Sequence, residues 1–212
     1  MPLQPDTFKS LVKAAAEQVI ASAPELTALD QAIGDGDHGT NMKRGFEAVL
    51  SKLDTIGAQP LDEALKVIGK TLVMTVGGAS GPLYGTAFRR AGKALGDAAD
   101  VDLPALSAAL DAALAGVQQL GAAREGDKTM VDALAAATRA FSKAIAEGAS
   151  PDDALSVLAE AAQAGATATI SMQALKGRAS YLGPRSVGHE DPGAVSTALI
   201  LAALRDAARA GR

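Results

Sequence analysis

Between Leu29 and Asn41 the chain reads LDQAIGDGDHGTN, which puts Asp30, Asp35, Asp37, Gly34, Gly36, Gly39, His38 and Asn41 within thirteen positions. Carboxylates at that density supply hard oxygen donors, and glycines give the backbone the freedom to aim them at one cation. The pattern is not the calcium-binding helix–loop–helix motif, which needs a glutamate at its twelfth position. Counted from Asp30 that position is Asn41, and counted from Asp35 it is Phe46. There is no cysteine, so thiolate nucleophiles, disulfides and thiolate-held metals are excluded, and any bound ion must be a hard one.

Three further stretches carry unusual chemistry. GGASG, from Gly77 to Gly81, is a bare loop of the kind that lets a phosphate reach backbone amides. REGDKT contains Lys128, and KGRASYLGPRSVGHEDPG contains Arg178, His189 and Asp191. GKT at Gly69 to Thr71 resembles the end of a P-loop, but the first glycine of that motif would fall on Ala64, inside a helical pattern, so it is rejected.

The elements that position these loops are helices. Phe8, Leu11, Val12, Ala15 and Val19 recur at helical spacing behind the natural caps Asp6 and Thr7. Similar patterns run through residues 40–54, 60–76, 80–97, 103–120, 127–147, 151–175 and 191–210, making eight helices. Ser150–Pro151 and Asp191–Pro192 pair a cap with a first-turn proline. ATATISM, from Ala166 to Met172, alternates like a strand but sits inside a helical pattern and is read as helix. Short connections favour an up-and-down antiparallel array, an all-α bundle in which alternate connections share an end. The even connections are ordinary turns. The odd ones hold both histidines and most of the multi-glycine loops, and each leads into a helix N-terminus. Such N-termini offer unpaired N–H groups and partial positive charge, an anion site. Aspartates at the same end would repel an anion unless divalent cations lie between. The residues therefore point to a magnesium–polyphosphate site at one end of the bundle, with Arg178 and Lys128 as further positive charge.

Composition bounds the rest. The 212 residues suit a single domain over 1–212, and 3% aromatic content requires a core of Ala, Leu, Val and Ile. The net charge of −4 without a basic stripe excludes nucleic acid as an expected partner. No stretch has the order of a signal peptide or the length of a membrane span, so a cytoplasmic protein is expected. By residue type alone, Met130 is core, Asp191 is a helix cap, and His189 braces a loop or serves the site.

LDQAIGDGDHGTNMKRGF, VGGASGPLYGTAF, GDKTM and KGRASYLGPRSVGHEDPGA together resemble the nucleotide-binding L subunits of bacterial dihydroxyacetone kinases, the DhaL family. The resemblance covers essentially the whole chain. It implies a barrel of eight antiparallel helices with the nucleotide in loops at one end. It also implies ADP or ATP held through two magnesium ions on Asp30, Asp35 and Asp37. The family's nucleotide contacts match His38, Gly39, Thr40, Asn41, Ala79, Ser80, Gly121, Met130, Arg178, Asp191, Pro192 and Gly193. A separate K subunit would hold dihydroxyacetone and receive the γ-phosphate. A phosphotransferase M subunit, drawing on phosphoenolpyruvate, would rephosphorylate the bound ADP. Some relatives exchange ATP instead or act on other small sugars, and some contact transcription regulators, so a nucleotide-loaded regulatory module is the rival reading. The chain holds no K-type domain, so a free-standing subunit, as a homodimer, is expected. One departure stands out: Glu125 occupies a position where the family pattern has proline, while Gly121 keeps its place.

Overall fold

The computed structural model describes residues 4–96 and 100–211. Among them the chain forms α1 (Pro5–Ala21), α2 (Ala23–Ile33), α3 (His38–Leu50), α4 (Leu53–Gly57) and α5 (Leu61–Thr75). There follow α6 (Ser80–Leu95), α7 (Leu103–Gly121), α8 (Met130–Ala146), α9 (Pro151–Ala168) and α10 (Pro192–Ala210). Two 3-10 segments, Thr169–Ser171 and Arg178–Ser186, lie between α9 and α10. The eight predicted helices correspond to α1, α3 and α5 to α10. The predicted end of one of them at 97, and residues 98 and 99 of the following connection, lie outside the described residues.

The eight long helices close into a ring. Each packs on the next, α1 on α3, α3 on α5, then α5 through α10 in order, and α10 returns to pack on α1. Neighbours run in opposite directions. Arg209 at the end of α10 donates to the Asp152 carbonyl at the start of α9 (3.3 Å), and Ser107 at the start of α7 meets Ser142 near the end of α8 (2.8 Å). Alanines at Ala16, Ala64, Ala133, Ala137, Ala154, Ala162, Ala166 and Ala194 are fully buried, which lets the helices approach closely. Phe46, Phe141, Leu26, Met42, Ile68 and Leu72 fill the remaining space. No described helix is long and apolar enough to cross a membrane.

Three local features differ from the sequence expectation. Residues 23–33 form α2, so Asp30 sits in the last turn of a helix rather than in a loop; Pro24 in the first turn starts it and Gly34 ends it. The five-residue α4 carries Ile56 into the core against α1. The helix expected over 151–175 stops at Ala168. There the Thr169 hydroxyl turns back to donate to the Ala166 carbonyl (2.5 Å) and accepts from the Asp191 amide (2.9 Å), drawing the chain into a 3-10 turn.

Candidate functional site

The starts of α3, α6, α8 and α10 converge at one end of the ring. His38, the first residue of α3, places Nδ1 at 3.1 Å from the Ser80 hydroxyl at the start of α6. Its Nε2 lies 2.9 Å from the Ser196 hydroxyl in the first turns of α10. A Cβ placed on Gly193 of α10 would stand 3.5 Å from the amide nitrogen of Met130, the first residue of α8. The odd connections therefore do share an end.

The aspartates face this convergence. Asp30, Asp35 and Asp37 each offer a carboxylate oxygen, and those oxygens lie within 4.8 Å of one another; Asp30 is buried and the other two are exposed. Three hard donors so placed suit magnesium. Asp30 also holds backbone. Its Oδ2 accepts the amides of Asp37 (2.8 Å) and His38 (3.0 Å), capping α3 from across the loop. Asp37 occupies the cap position itself but makes no side-chain cap bond, so its carboxylate is not spent on the helix. Glycine at 34 is a steric requirement, since a Cβ there would come within 2.1 Å of the Asp30 Oδ1. Gly39 is another, because a Cβ would come 2.0 Å from the Ala23 carbonyl, where α3 crosses α2.

The four helix starts are not treated alike. α3 is capped by Asp30. In α8, Thr129 and Asp132 form a reciprocal capping box, and the Asp132 carboxylate also accepts from Gly126 (2.5 Å). In α10, Asp191 Oδ2 accepts the Ala194 amide at 2.7 Å. At the start of α6, by contrast, the cap position is Ala79 and no side chain caps the helix.

Electrostatics follow from burial. His38 is held below the ordinary histidine range because burial disfavours its charged form, against an opposing pull from Asp30 and Asp37. Its neutral ring can engage both hydroxyls. Burial pushes Asp191 from 3.8 up to about 7, with Asp132 and Asp30 adding to the rise, while the Ala194 amide and Lys128 oppose it. Lys128 is 1% exposed; burial lowers its pKa, and Asp191, Asp132 and Glu190 counter that.

The remaining positions fall around this centre. Arg178 lies across from the cluster, with Nε 2.7 Å from Asp35 Oδ2 and a largely exposed side chain. Thr40 is exposed on α3, while Asn41 is buried and accepts from Arg44 (2.7 Å). Gly121 ends α7 beside Leu83 in the first turn of α6. Met130 and Pro192 are buried at the starts of α8 and α10. His189 is exposed, and its contact to the site region is through its carbonyl, which accepts from Lys128. Glu125 accepts both terminal nitrogens of Arg139 on α8 (2.9 and 2.8 Å), so the loop before α8 is braced by an ion pair.

Sequence reasoning missed the layer beneath. The Tyr84 hydroxyl lies 3.0 Å from the Gly193 carbonyl, 2.7 Å from the Ser196 hydroxyl and 2.9 Å from the Thr197 hydroxyl. With His38 and Ser80 this network links α3, α6 and α10. The available signal was the polar pair Ser196–Thr197 inside the apolar run AVSTALIL.

Residues 32–206 match the family model of the DAK2 domain. The chain is 44% identical over 184 residues to the ADP-binding subunit DhaL of the PEP-dependent dihydroxyacetone kinase of Escherichia coli (strain K12), covering 87% of this chain and 88% of that one. It is 41% identical over 188 residues to the ADP-binding subunit DhaL of PEP-dependent dihydroxyacetone kinase 1 of Listeria innocua, covering 89% of each. Among solved structures, the dihydroxyacetone kinase from C. freundii in complex with AMP-PNP and Mg2+ superposes with a TM-score of 0.74 at 29% identity, over 97% of this chain and 34% of that one. The present chain thus spans about a third of that kinase.

Proposed function

The chain belongs to the DAK2-domain family, and from that premise we propose that it is the nucleotide-binding subunit of a dihydroxyacetone kinase. The observation that carries the proposal is the cluster of Asp30, Asp35 and Asp37, oxygens within 4.8 Å, set against four converging helix starts. Carboxylates and helix N-termini are electrostatically opposed, and a magnesium nucleotide is the ligand class that satisfies both. In this reading Asp30, Asp35 and Asp37 hold two magnesium ions. When bound there, magnesium neutralises charge on the phosphate oxygens as the phosphoryl group leaves.

The chain's own groups bind and orient. Amides at Ala79 and Ser80 face the phosphates, with His38 to Asn41, Gly121, Met130 and Asp191 to Gly193 completing the nucleotide's surroundings. Arg178 supplies a guanidinium beside Asp35, suited to the γ-phosphate. The Tyr84–Ser196–His38–Ser80 network keeps three of the helix starts in register, which is how a site made mostly of backbone is preorganised. The γ-phosphoryl group passes in line to a hydroxymethyl oxygen of dihydroxyacetone held on a K subunit. The bond to the β-phosphate breaks, and the hydroxyl proton leaves to a base outside the residues assigned here. The Escherichia coli and Listeria innocua relatives, both PEP-dependent and ADP-binding, support ADP as the retained nucleotide and a phosphoenolpyruvate-linked M subunit as the donor.

The test is a single-turnover reaction of the purified chain with magnesium, γ-labelled ATP and a K-type subunit loaded with dihydroxyacetone. Label on the sugar is the expected result. Stable nucleotide binding without transfer would make the chain a regulatory module, and release of label as inorganic phosphate without a partner would make it a phosphatase.

A further inference from the structure

We infer that Lys128 is a positioning residue: its buried ammonium ties together the two ends of the 170–188 excursion that carries Arg178. Lys128 lies between α7 and α8 with φ of 60°, a left-handed conformation that a side chain other than glycine's adopts at a cost. The residue is 1% exposed. A lysine that only decorated the loop would send its ammonium to water. Here Nζ donates to the Thr169 carbonyl (2.5 Å) and to the His189 carbonyl, residues twenty apart in the chain.

Those two carbonyls stand on either side of one neck. Within it the Gly188 amide donates to the Ile170 carbonyl at 2.7 Å, and the Asp191 amide donates to the Thr169 hydroxyl at 2.9 Å. The Leu175 amide donates to the Asp127 carbonyl at 3.1 Å, fastening the excursion to the residue before Lys128. What leaves the neck on one side is the 3-10 segment bearing Arg178, whose Nε reaches Asp35 at 2.7 Å. What leaves it on the other is Asp191, the cap of α10. The nearby carboxylates do not bind Lys128 in a simple pair. Asp132 is occupied by the amides of Gly126 and Thr129, and Asp191 by that of Ala194. The ammonium is thus committed to backbone carbonyls, the use that fixes a chain crossing. Lys128 acts through Arg178 and the start of α10 and is not itself assigned to the nucleotide.

The inference rests on the reading that Arg178 and α10 face a magnesium nucleotide. It is tested by a double-mutant cycle on Mg·ADP affinity, measured calorimetrically, with Lys128→Met, Arg178→Gln and the pair. Lys128→Met should weaken binding roughly ten-fold, and adding Arg178→Gln should cost little more, because the first change has already released the arm. Lys128→Gln, neutral but with two N–H donors, should recover part of the affinity and replaces Lys128→Met in the cycle if the latter does not fold. Multiplicative losses in the double variant, or wild-type affinity in the single one, would overturn the role of Lys128 and leave the site reading intact. A wild-type chain that binds no Mg·ADP would refute the site reading itself.

Discussion

Asp30→Asn separates the two jobs of one carboxylate. Without metal, Asp30 repels Asp35 and Asp37. At the outer limit of 4.8 Å each pair costs ~3.5 kcal/mol at an effective dielectric of 20, and ~0.9 kcal/mol at that of water. Asp35 and Asp37 are exposed, which favours the lower figure, so neutralising Asp30 relieves about 2 kcal/mol in total. Against this stand the two amide bonds from Asp37 and His38, at 2.8 and 3.0 Å. Asparagine retains an acceptor oxygen and is itself a good cap, so the loss is about 1 kcal/mol. In chelator the variant should therefore unfold at the same temperature as wild type or slightly above it. Asp30→Ala, with no acceptor, should unfold lower than Asp30→Asn by about 1–2 kcal/mol. With magnesium and ADP at a hundred times the wild-type Kd, wild type gains about 2.7 kcal/mol and both variants gain little. The order of wild type and Asp30→Asn should thus cross between the two conditions, read by thermal melts of the same samples with and without Mg·ADP. An Asp30→Asn variant clearly less stable than wild type in chelator would refute the repulsion argument. A full magnesium increment in that variant would refute Asp30 as a ligand.

Two other perturbations follow from groups around the same centre. Because burial raises Asp191 from 3.8 to about 7, the folded chain keeps a proton that the unfolded chain releases; its contribution is full below pH 3.8, is lost as pH rises to about 7, and is flat above. The nucleotide-free Asp191→Asn variant should therefore match wild type near pH 4 and melt above it at pH 8, with roughly 4 kcal/mol as the ceiling, whereas a pH-independent offset would contradict the assignment. Tyr84→Phe removes a hydroxyl bonded to Gly193, Ser196 and Thr197 and should cost about 1–2 kcal/mol in urea unfolding, with a loss of nucleotide affinity; an unchanged affinity would show that the network does not register the helix starts.

The ring was legible because each long helix presents an apolar stripe of period 3.6 and is punctuated by Gly, Pro or Asp. α2 was not, since its buried residues Ala23, Leu26, Asp30 and Ile33 include few large apolar ones and its face is set by what α3 and α10 lay against it. α4 is too short to show a period. The aspartates announce themselves by density, whereas Lys128, Tyr84 and Ser196 look ordinary along the chain. Their roles depend on partners such as Thr169, Gly193 and His38, between 41 and 158 positions away. Local pattern carries no information about such pairings.

The same contacts explain why acidic residues and an anion site share one end. An exposed helix start is partly positive and its amides need acceptors. At α3, α8 and α10 the chain meets that need internally, with Asp30, Asp132 and Asp191. Only α6, among these four, begins at an alanine and in a glycine loop with no side-chain cap. Under the proposed function its amides are the ones left for a phosphate. One of the capping aspartates thus has a second effect. Asp30 belongs to the carboxylate cluster and caps the helix whose His38 ring meets Ser80 at the start of α6 (3.1 Å), so the same acid satisfies one helix start and stands near the uncapped one. An anion brought there by itself would meet the repulsion of the Asp30, Asp35 and Asp37 carboxylates, while one carrying magnesium would be drawn to them. Under the proposed function, selection for the metal complex over the free nucleotide would follow from which helix was left uncapped.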